Sequence, residues 1–501
     1  MKEQLFKKTT FIRSASFLLA LLATAGCTSC GSGESGADTT ASGGETTTAV
    51  ETDVREGVKD SLPEGLSFDG ATVRIAARDA ENYYIFETVG EENGDVVSDA
   101  VYARNRSVEE RLNVNLEFIH FGTSAENYME QVRTVLLSGE DAYDYIGIYQ
   151  YLGLQHSVEG LFMNLIDAPY IDYSQPWWHQ SYMDIISVDS STRYMLMGDI
   201  SVSGLRGLSS MFFNKTLYEE LYGDPNSLYE TVLDGAWTYE QLRTMVTDAY
   251  RDVNGNSEVD TEDIFGLGSN AVTQADHYSY TAGLKLSERD KDGYPTLITD
   301  QSRNVSVMEA IYKLYYETEG FYLFPQAEQT GAQLNQFIDG RMLFISDRLY
   351  LSEMLRDMND PYGIIPYPKL DEEQEKYLAL VHDTATLFCV PVTNTRLDMT
   401  CAVLEAMCAE TYRTVTPAYY EVALKVKYTH DEISAQIIDM IHENIVTDFV
   451  YANNYVFGSN MGTIAREILG KKNNNYMSAY DSRVSQTESG IQSLIDQANE
   501  Q

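Results

Sequence analysis

Cationic side chains are scarce in this sequence: 35 Lys and Arg stand against 76 Asp and Glu, a formal net charge of −41 over 501 residues. A surface of that sign repels nucleic acid and anionic lipid headgroups, which excludes both as direct partners, and it favours cations. Histidine and cysteine are also few, at seven and five. Cys389, Cys401 and Cys408 show no zinc-ligand spacing with the histidines. No G-x-S-x-G elbow, H-E-x-x-H helix, P-loop or Rossmann glycine fingerprint occurs, so the common sequence signatures of hydrolases, metalloproteases and nucleotide-binding enzymes are missing. The sequence has three tryptophans but 36 tyrosines, whose apolar faces and polar tips suit core edges and the stacking of sugar rings.

The most informative stretch that is present runs from 236 to 267, AWTYEQLRTMVTDAYRDVNGNSEVDTEDIFGL. Thr238 followed by Gln241 is a capping box, and Trp237 before it can staple onto Leu242. Leu242, Met245, Val246 and Ala249 then repeat at helical spacing and mark one buried face. An acidic loop follows. Asp252, Asn254, Asn256, Glu258, Asp260 and Asp263 place oxygen side chains around Gly255 as a hard cation such as calcium requires. The loop departs from the EF-hand pattern at Ser257, where glycine is usual, and at Asp263, where a longer glutamate is usual. With no catalytic group beside it, calcium here is expected to be structural; the plain alternative is a solvated Asx-rich turn.

A chain of this length exceeds one core and implies two or three domains. At its start, Lys2, Lys7, Lys8 and Arg13 precede an apolar run from Ser16 to Ala25, about ten residues and too short to span a bilayer. The run ends in Thr24-Ala-Gly-Cys27, which resembles the lipobox of bacterial lipoproteins, with Thr24 where leucine is usual. Residues 1–26 are therefore expected to be a signal peptide and Cys27 a lipidation site; its C-x-x-C spacing to Cys30 belongs to export processing and not to a redox pair. Residues 27–66, poor in apolar side chains, are expected to form a disordered tether reaching on the order of 35 Å. A single lipid tail anchors without spanning.

Beyond the tether, strands alternate with helices: a strand at 71–77, a helix at 98–112, a strand at 113–119, a helix at 125–137 and a strand at 143–149. That order implies parallel pairing with helices on both faces, and ligands in such sheets sit at the carboxyl ends of the strands. Those ends hold Asp79, Asn82 and Tyr83, and Tyr149, Gln150 and Tyr151.

Several motifs in order carry a family resemblance: FFNKTL at 212–217, DGAWTYEQL at 234–242, FIDGRMLFI at 337–345, YGIIPYPK at 362–369 and YYEVALKVKY at 419–428. With the lipobox and tether ahead of them, they make the chain similar to the extracellular solute-binding proteins of bacterial ABC importers, the sugar-type lipoproteins in particular. An acidic calcium-type loop after the Trp-Thr helix also occurs in that group. The resemblance implies a two-lobed α/β fold of the type II periplasmic-binding kind, each lobe a mixed sheet flanked by helices. Lobe one would hold 68–203 plus 371–415 and lobe two 204–370 plus 416–501, with hinge crossings near Ser201, Lys369 and Ala418. It further implies a monomer on the outer face of the cell membrane that closes on a sugar or oligosaccharide and presents it to permease subunits, with no catalysis.

Within such a cleft the candidates beyond the strand ends are these. Trp177 and Trp178 follow Pro176, and neighbouring rings on an extended segment cannot both enter one core, so one is expected to form a stacking platform. Asp347 and Arg348 follow a strand expected at 341–346, where the family resembled often places cleft residues, and either bind hydroxyls or cap the next helix. Asp276, His277 and Tyr278 fall in a polar loop, and His382 with Asp383 precede the apolar strand at 384–390. With no nucleophile motif near, His382 and Asp383 are expected to hydrogen-bond and not to catalyse. Two other functions remain open at this level: a secreted glycoside hydrolase, whose carboxylate pair need not be adjacent in sequence, and a surface receptor of the same fold.

Overall fold

The computed structural model describes residues 54–78, 87–122, 124–157, 159–269, 274–325, 329–356, 358–424 and 432–500. The signal peptide, Cys27 and most of the tether lie outside the described residues, as do Asp79, Asn82 and Tyr83. Residues 54–66, expected to belong to the tether, are instead seated on the folded body. Leu62 is buried, Asp60 takes Arg111 at 2.5 Å, and Arg55 reaches Asp439 at 2.6 Å. Arg413 adds a second cation 3.6 Å from Asp60 and donates to the Val58 carbonyl at 3.0 Å, so several contacts hold this stretch down.

The first sheet contains β1 (Ala71–Arg78), β2 (Val114–Phe121), β3 (Tyr145–Tyr149) and a late strand, Thr386–Cys389, in the order late strand-β3-β1-β2. As the alternation predicts, β1 runs parallel to both β2, with Ile75 opposite Phe118, and β3, with Ile75 opposite Tyr145. The late strand lies antiparallel to β3. All five residues of β3 are buried, and Gly147 lets Thr386 and Phe388 cross it closely: a Cβ there would sit 3.2 Å from each. Helix α1 (Val96–Leu112) begins on Asp95, which accepts from the amides of Val97 and Ser98, and ends at Asn113 with φ 48°, turning the chain into β2. Helix α2 (Ala125–Leu137) returns the chain to β3.

The second sheet is built from β4 (Ser209–Asn214), β5 (Phe265–Ser269), Phe321–Leu323, Met342–Arg348 and Tyr362–Ile365. Met342–Arg348 is central, antiparallel to β4 and parallel to β5. Helix α3 (Tyr239–Ala249) starts as its sequence predicts, with Thr238 accepting from the Gln241 amide and Leu242, Met245, Val246 and Ala249 buried. It lies so close to β5 that a Cβ on Gly266 would fall 2.2 Å from the Val246 carbonyl oxygen.

The lobes are joined where two segments run side by side. Leu208 bridges Val381, and the His382 amide donates to the Gly207 carbonyl at 3.2 Å. The buried Glu87 carboxylate accepts from the Ser203 amide at 2.6 Å and the Thr386 hydroxyl at 2.8 Å, tying both segments together. The segments at 201–208 and 381–386 therefore cross side by side, and Lys369 is not among them. Lys369 is pinned inside the second lobe, its carbonyl accepting from Tyr239 N at 2.9 Å and its amide donating to Trp237 O at 3.1 Å. A third connection is continuous: the helix Leu397–Glu410 passes through a π-helical turn at Thr411–Val415 into Thr416–Leu424, the helix that contains Ala418. Cys401 and Cys408 are fully buried along the first part of it. Among the described residues no helix is long and apolar enough to cross a membrane.

Candidate functional site

Of the residues nominated at strand ends, those among the described residues meet beside the crossing segments. From the first lobe, Tyr149 ends β3 opposite Thr386, the Gln150 amide donates to the Ala385 carbonyl at 2.9 Å, and Tyr151 N donates to the Asp383 carbonyl at 3.3 Å. The Gln150 side-chain oxygen accepts from the Tyr182 hydroxyl, while its Nε2 is buried with no hydrogen-bond partner. Arg78 donates to the Tyr149 hydroxyl. Tyr151 stacks on Tyr149 with centroids 5.9 Å apart, lies 4.9 Å from the half-exposed Tyr455 ring, and donates to Glu126 at 2.7 Å.

From the second lobe come Asp276, His277 and Tyr278. They were expected in a polar loop but lie on a helix, Gln274–Thr281, every residue of which is buried. Burial on all sides leaves no apolar stripe, so the helical period does not appear in the sequence. Gln274 donates to the Ser346 carbonyl at 2.5 Å, Tyr278 meets the Ser346 hydroxyl at 2.7 Å, and Tyr239 donates to the Tyr278 carbonyl at 2.8 Å, which locks the helix over the end of Met342–Arg348. His277 pairs with Ser209 and stacks on both His382 (5.8 Å) and Tyr367 (6.2 Å). His382 Nδ1 is 2.8 Å from Thr384 Oγ1 and 3.1 Å from Asp383. Asp347 and Arg348 pair with each other at 3.0 Å, Arg348 lies over the Tyr350 ring, and the following helix has no side-chain cap, so Asp347 does not serve as one.

Asp276 and Arg466 form the charged centre. Arg466, on the helix Ile464–Gly470, donates through Nε to Asp276 Oδ2 at 2.7 Å; Asp276 Oδ1 is buried without a hydrogen-bond partner. Burial, opposed by Arg466, pushes the Asp276 carboxyl up to about 7. Burial pushes both His277 and His382 well below the ordinary imidazole value, so each ring is neutral, one nitrogen donating and one accepting. The site thus combines neutral imidazoles, phenol rings, an unpaired acceptor and an unpaired amide donor, a set suited to a polyhydroxylated ligand. Sequence reasoning does not reach Arg466, Tyr367 or Tyr455. The one available signal was that Arg466 is the only Lys or Arg between Lys427 and Lys471.

No family model matches the chain, and no curated protein matches it in sequence. Solved structures do match in three dimensions. An ABC substrate-binding protein of Listeria monocytogenes in complex with cycloalternan superposes with a TM-score of 0.52 at 12% identity over 85% of this chain and 100% of that one. A sugar transporter protein of Rhizobium etli in an open conformation gives 0.55 at 12% over 84% and 99%. UgpB of Mycobacterium tuberculosis in complex with glycerophosphocholine gives 0.52 at 11% over 86% and 100%. The fold is that of the ABC-importer solute-binding proteins.

In this solute-binding fold the two tryptophans do not join the group above. Residues 173–178 form turns, closed by Trp178 N donating to Gln175 O at 3.1 Å, so side-chain alternation along an extended segment does not apply and both rings turn inward. Trp177 is fully buried 6.0 Å from Tyr412, and Trp178 donates from Nε1 to Glu405 at 2.8 Å. The acidic loop of the second lobe is closed at its base by an Arg251–Ile264 bridge. Ser257 adopts φ 61°, the left-handed conformation the usual glycine provides, and Asp252 accepts from the amides of Gly255 and Ser257. Asp263 is fully buried with Oδ1 unpartnered, the only such carboxylate oxygen in a loop otherwise open to solvent. An orphaned oxygen among acidic and amide oxygens fits a hard cation.

Proposed function

We propose that this chain is the substrate-binding component of an ABC importer that captures a carbohydrate, an oligosaccharide in particular, between its lobes and delivers it to a permease without chemical change. What supports this is the convergence of residues from both lobes, together with the crossing segments, on one buried polar cluster in which Asp276 Oδ1 and Gln150 Nε2 have no protein partner. An acceptor and a donor left over beside stacked tyrosines match a sugar ring, which presents hydroxyls at its edge and an apolar face. The Listeria protein's cycloalternan complex supports the oligosaccharide class. Lobe closure would proceed about the segments at 201–208 and 381–386.

Cys27 would carry a lipid holding the mature chain on the outer face of the cell membrane. Calcium would be held by Asp252, Asn254, Asn256, Glu258, Asp260 and Asp263 and would stabilise the second lobe by closing the loop after α3. A thermal-shift panel of mono- and oligosaccharides, peptides and polyamines tests the binding role. A ligand at a hundredfold excess over its Kd adds about 2.7 kcal/mol, so one sugar class should raise the melting temperature and be recovered intact; hydrolysis of that sugar would favour a glycosidase, and silence from all sugars would count against the carbohydrate reading.

A further inference from the structure

A second polar cluster, outside the proposed sugar site, is built from three residues brought together by both lobes. An antiparallel bridge between Trp178 and Gly198 sets His179 beside Asp199. Gly198 is required there, since a Cβ would lie 2.8 Å from the Trp177 carbonyl and from the Trp178 ring and 2.9 Å from Cys408 Sγ. His442 enters from the helix Glu432–Glu443, which packs against strand Tyr362–Ile365 of the second sheet.

Asp199 Oδ2 accepts from the Thr416 hydroxyl at 2.9 Å, which fixes the carboxylate. Its other oxygen, Oδ1, is fully buried and accepts no hydrogen bond. His179 Nε2 and His442 Nε2 both face that oxygen, at 3.6 and 3.7 Å. These distances are too long for hydrogen bonds. They are close to the edge of a coordination polyhedron, because two ligands each about 2.0–2.2 Å from a shared metal stand roughly 3–3.6 Å apart. All three ligand atoms fall within 4.8 Å of one another, and the imidazole planes are perpendicular at 89°. Arg55 is a neighbouring cation, and its charge is answered by Asp439 at 2.6 Å. A cavity of about 380 Å³, lined by Trp178, His179, Tyr182, Tyr412, His442 and Glu443 among others, opens beside the cluster.

We propose that His179, Asp199 and His442 form a binding site for a divalent transition metal, zinc fitting the donors best, with its remaining coordination positions open to the cavity. Two imidazoles and one carboxylate are the ligand set of open, three-residue metal sites. His179 and Asp199 belong to the first lobe and His442 to the second, so an ion held by all three also clips the lobes together. The Thr416–Asp199 hydrogen bond is the outer-shell contact that orients the carboxylate.

The test uses the full chain in a Cys27→Ser, Cys30→Ser background, stripped with chelator and titrated with zinc against a chromogenic chelator and with cobalt(II), whose visible ligand-field absorption reports coordination. One equivalent is expected, with cobalt displaced by zinc. His442→Ala and His179→Gln should each lower zinc affinity by more than about 100-fold, and Thr416→Val by about 10-fold, with circular dichroism confirming that each is folded. If His442→Ala does not fold, His179→Gln, whose side chain reaches the surface, and Thr416→Val decide the matter. Absence of stoichiometric uptake by the folded background protein, or uptake at unchanged affinity in the folded ligand variants, overturns the site.

Discussion

Asp276→Asn is the most informative single change in the proposed sugar site. The substitution keeps the shape of the side chain and leaves one oxygen able to accept from Arg466, now 2.7 Å from Oδ2. It replaces the unpartnered acceptor, Oδ1, with an amide that donates or, if flipped, with a neutral oxygen. A hydrogen bond from a sugar hydroxyl to a charged acceptor contributes about 1.5–3 kcal/mol, so affinity should fall about 10- to 150-fold. Because burial pushes the Asp276 carboxyl up to about 7, wild-type affinity should rise as the pH is raised through that value and the carboxylate ionises. The variant should show no such rise. Isothermal titration from pH 6 to 8 with the oligosaccharide giving the largest melting shift reads both effects, and urea unfolding establishes that the variant is folded. Affinity within twofold of wild type, with the same pH profile, would refute the placement of Asp276 against the ligand.

Three other outcomes follow from the packing. Trp178→Phe should leave sugar affinity unchanged but cost about 1–3 kcal/mol in urea unfolding, since it strips the buried Glu405 of its indole donor. Gly266→Ala should destabilise the protein by at least about 1–3 kcal/mol, because its Cβ meets main-chain atoms of α3 that cannot rotate away; a melting temperature equal to wild type would contradict this. His277 is held neutral by burial, with its folded value well below that of the unfolded chain. Below pH about 6.5 only the unfolded chain takes up that proton, so wild type should lose stability relative to His277→Gln as the pH falls, by about 1.4 kcal/mol per pH unit. Chelator should lower the melting temperature if calcium fills the acidic loop, and Asp263→Asn should abolish that sensitivity.

Local patterns made much of the fold legible. The Thr238 cap, the α3 stripe and the parallel pairing of β1 with both β2 and β3 all follow from spacing that survives in the structure. What spacing could not reveal was structure buried on every side or set by distant partners. The helix Gln274–Thr281 is buried on every side, has no apolar stripe and so no readable period. Local spacing reads Trp177-Trp178 as an extended segment, but a turn through Pro176 buries both residues. The resemblance puts a crossing at Lys369, but its main-chain bonds to Trp237 and Tyr239 are made across more than a hundred residues and leave no local mark. Among the candidate site residues, Tyr149 and Asp347 are legible from their places near strand ends, whereas Arg466, marked in the sequence only by its isolation from other cations, joins the group through Asp276. The same holds for His179, Asp199 and His442, which no spacing rule connects.

On the proposed function, the lobes bind a carbohydrate and do not transform it. Isothermal titration of the full chain with cyclic and linear oligosaccharides, followed by chromatography of the recovered ligand, tests it most directly. One-to-one binding of a sugar, weakened in Asp276→Asn and with the ligand returned intact, is the predicted result. Binding of no carbohydrate, or recovery of a cleaved one, would contradict it.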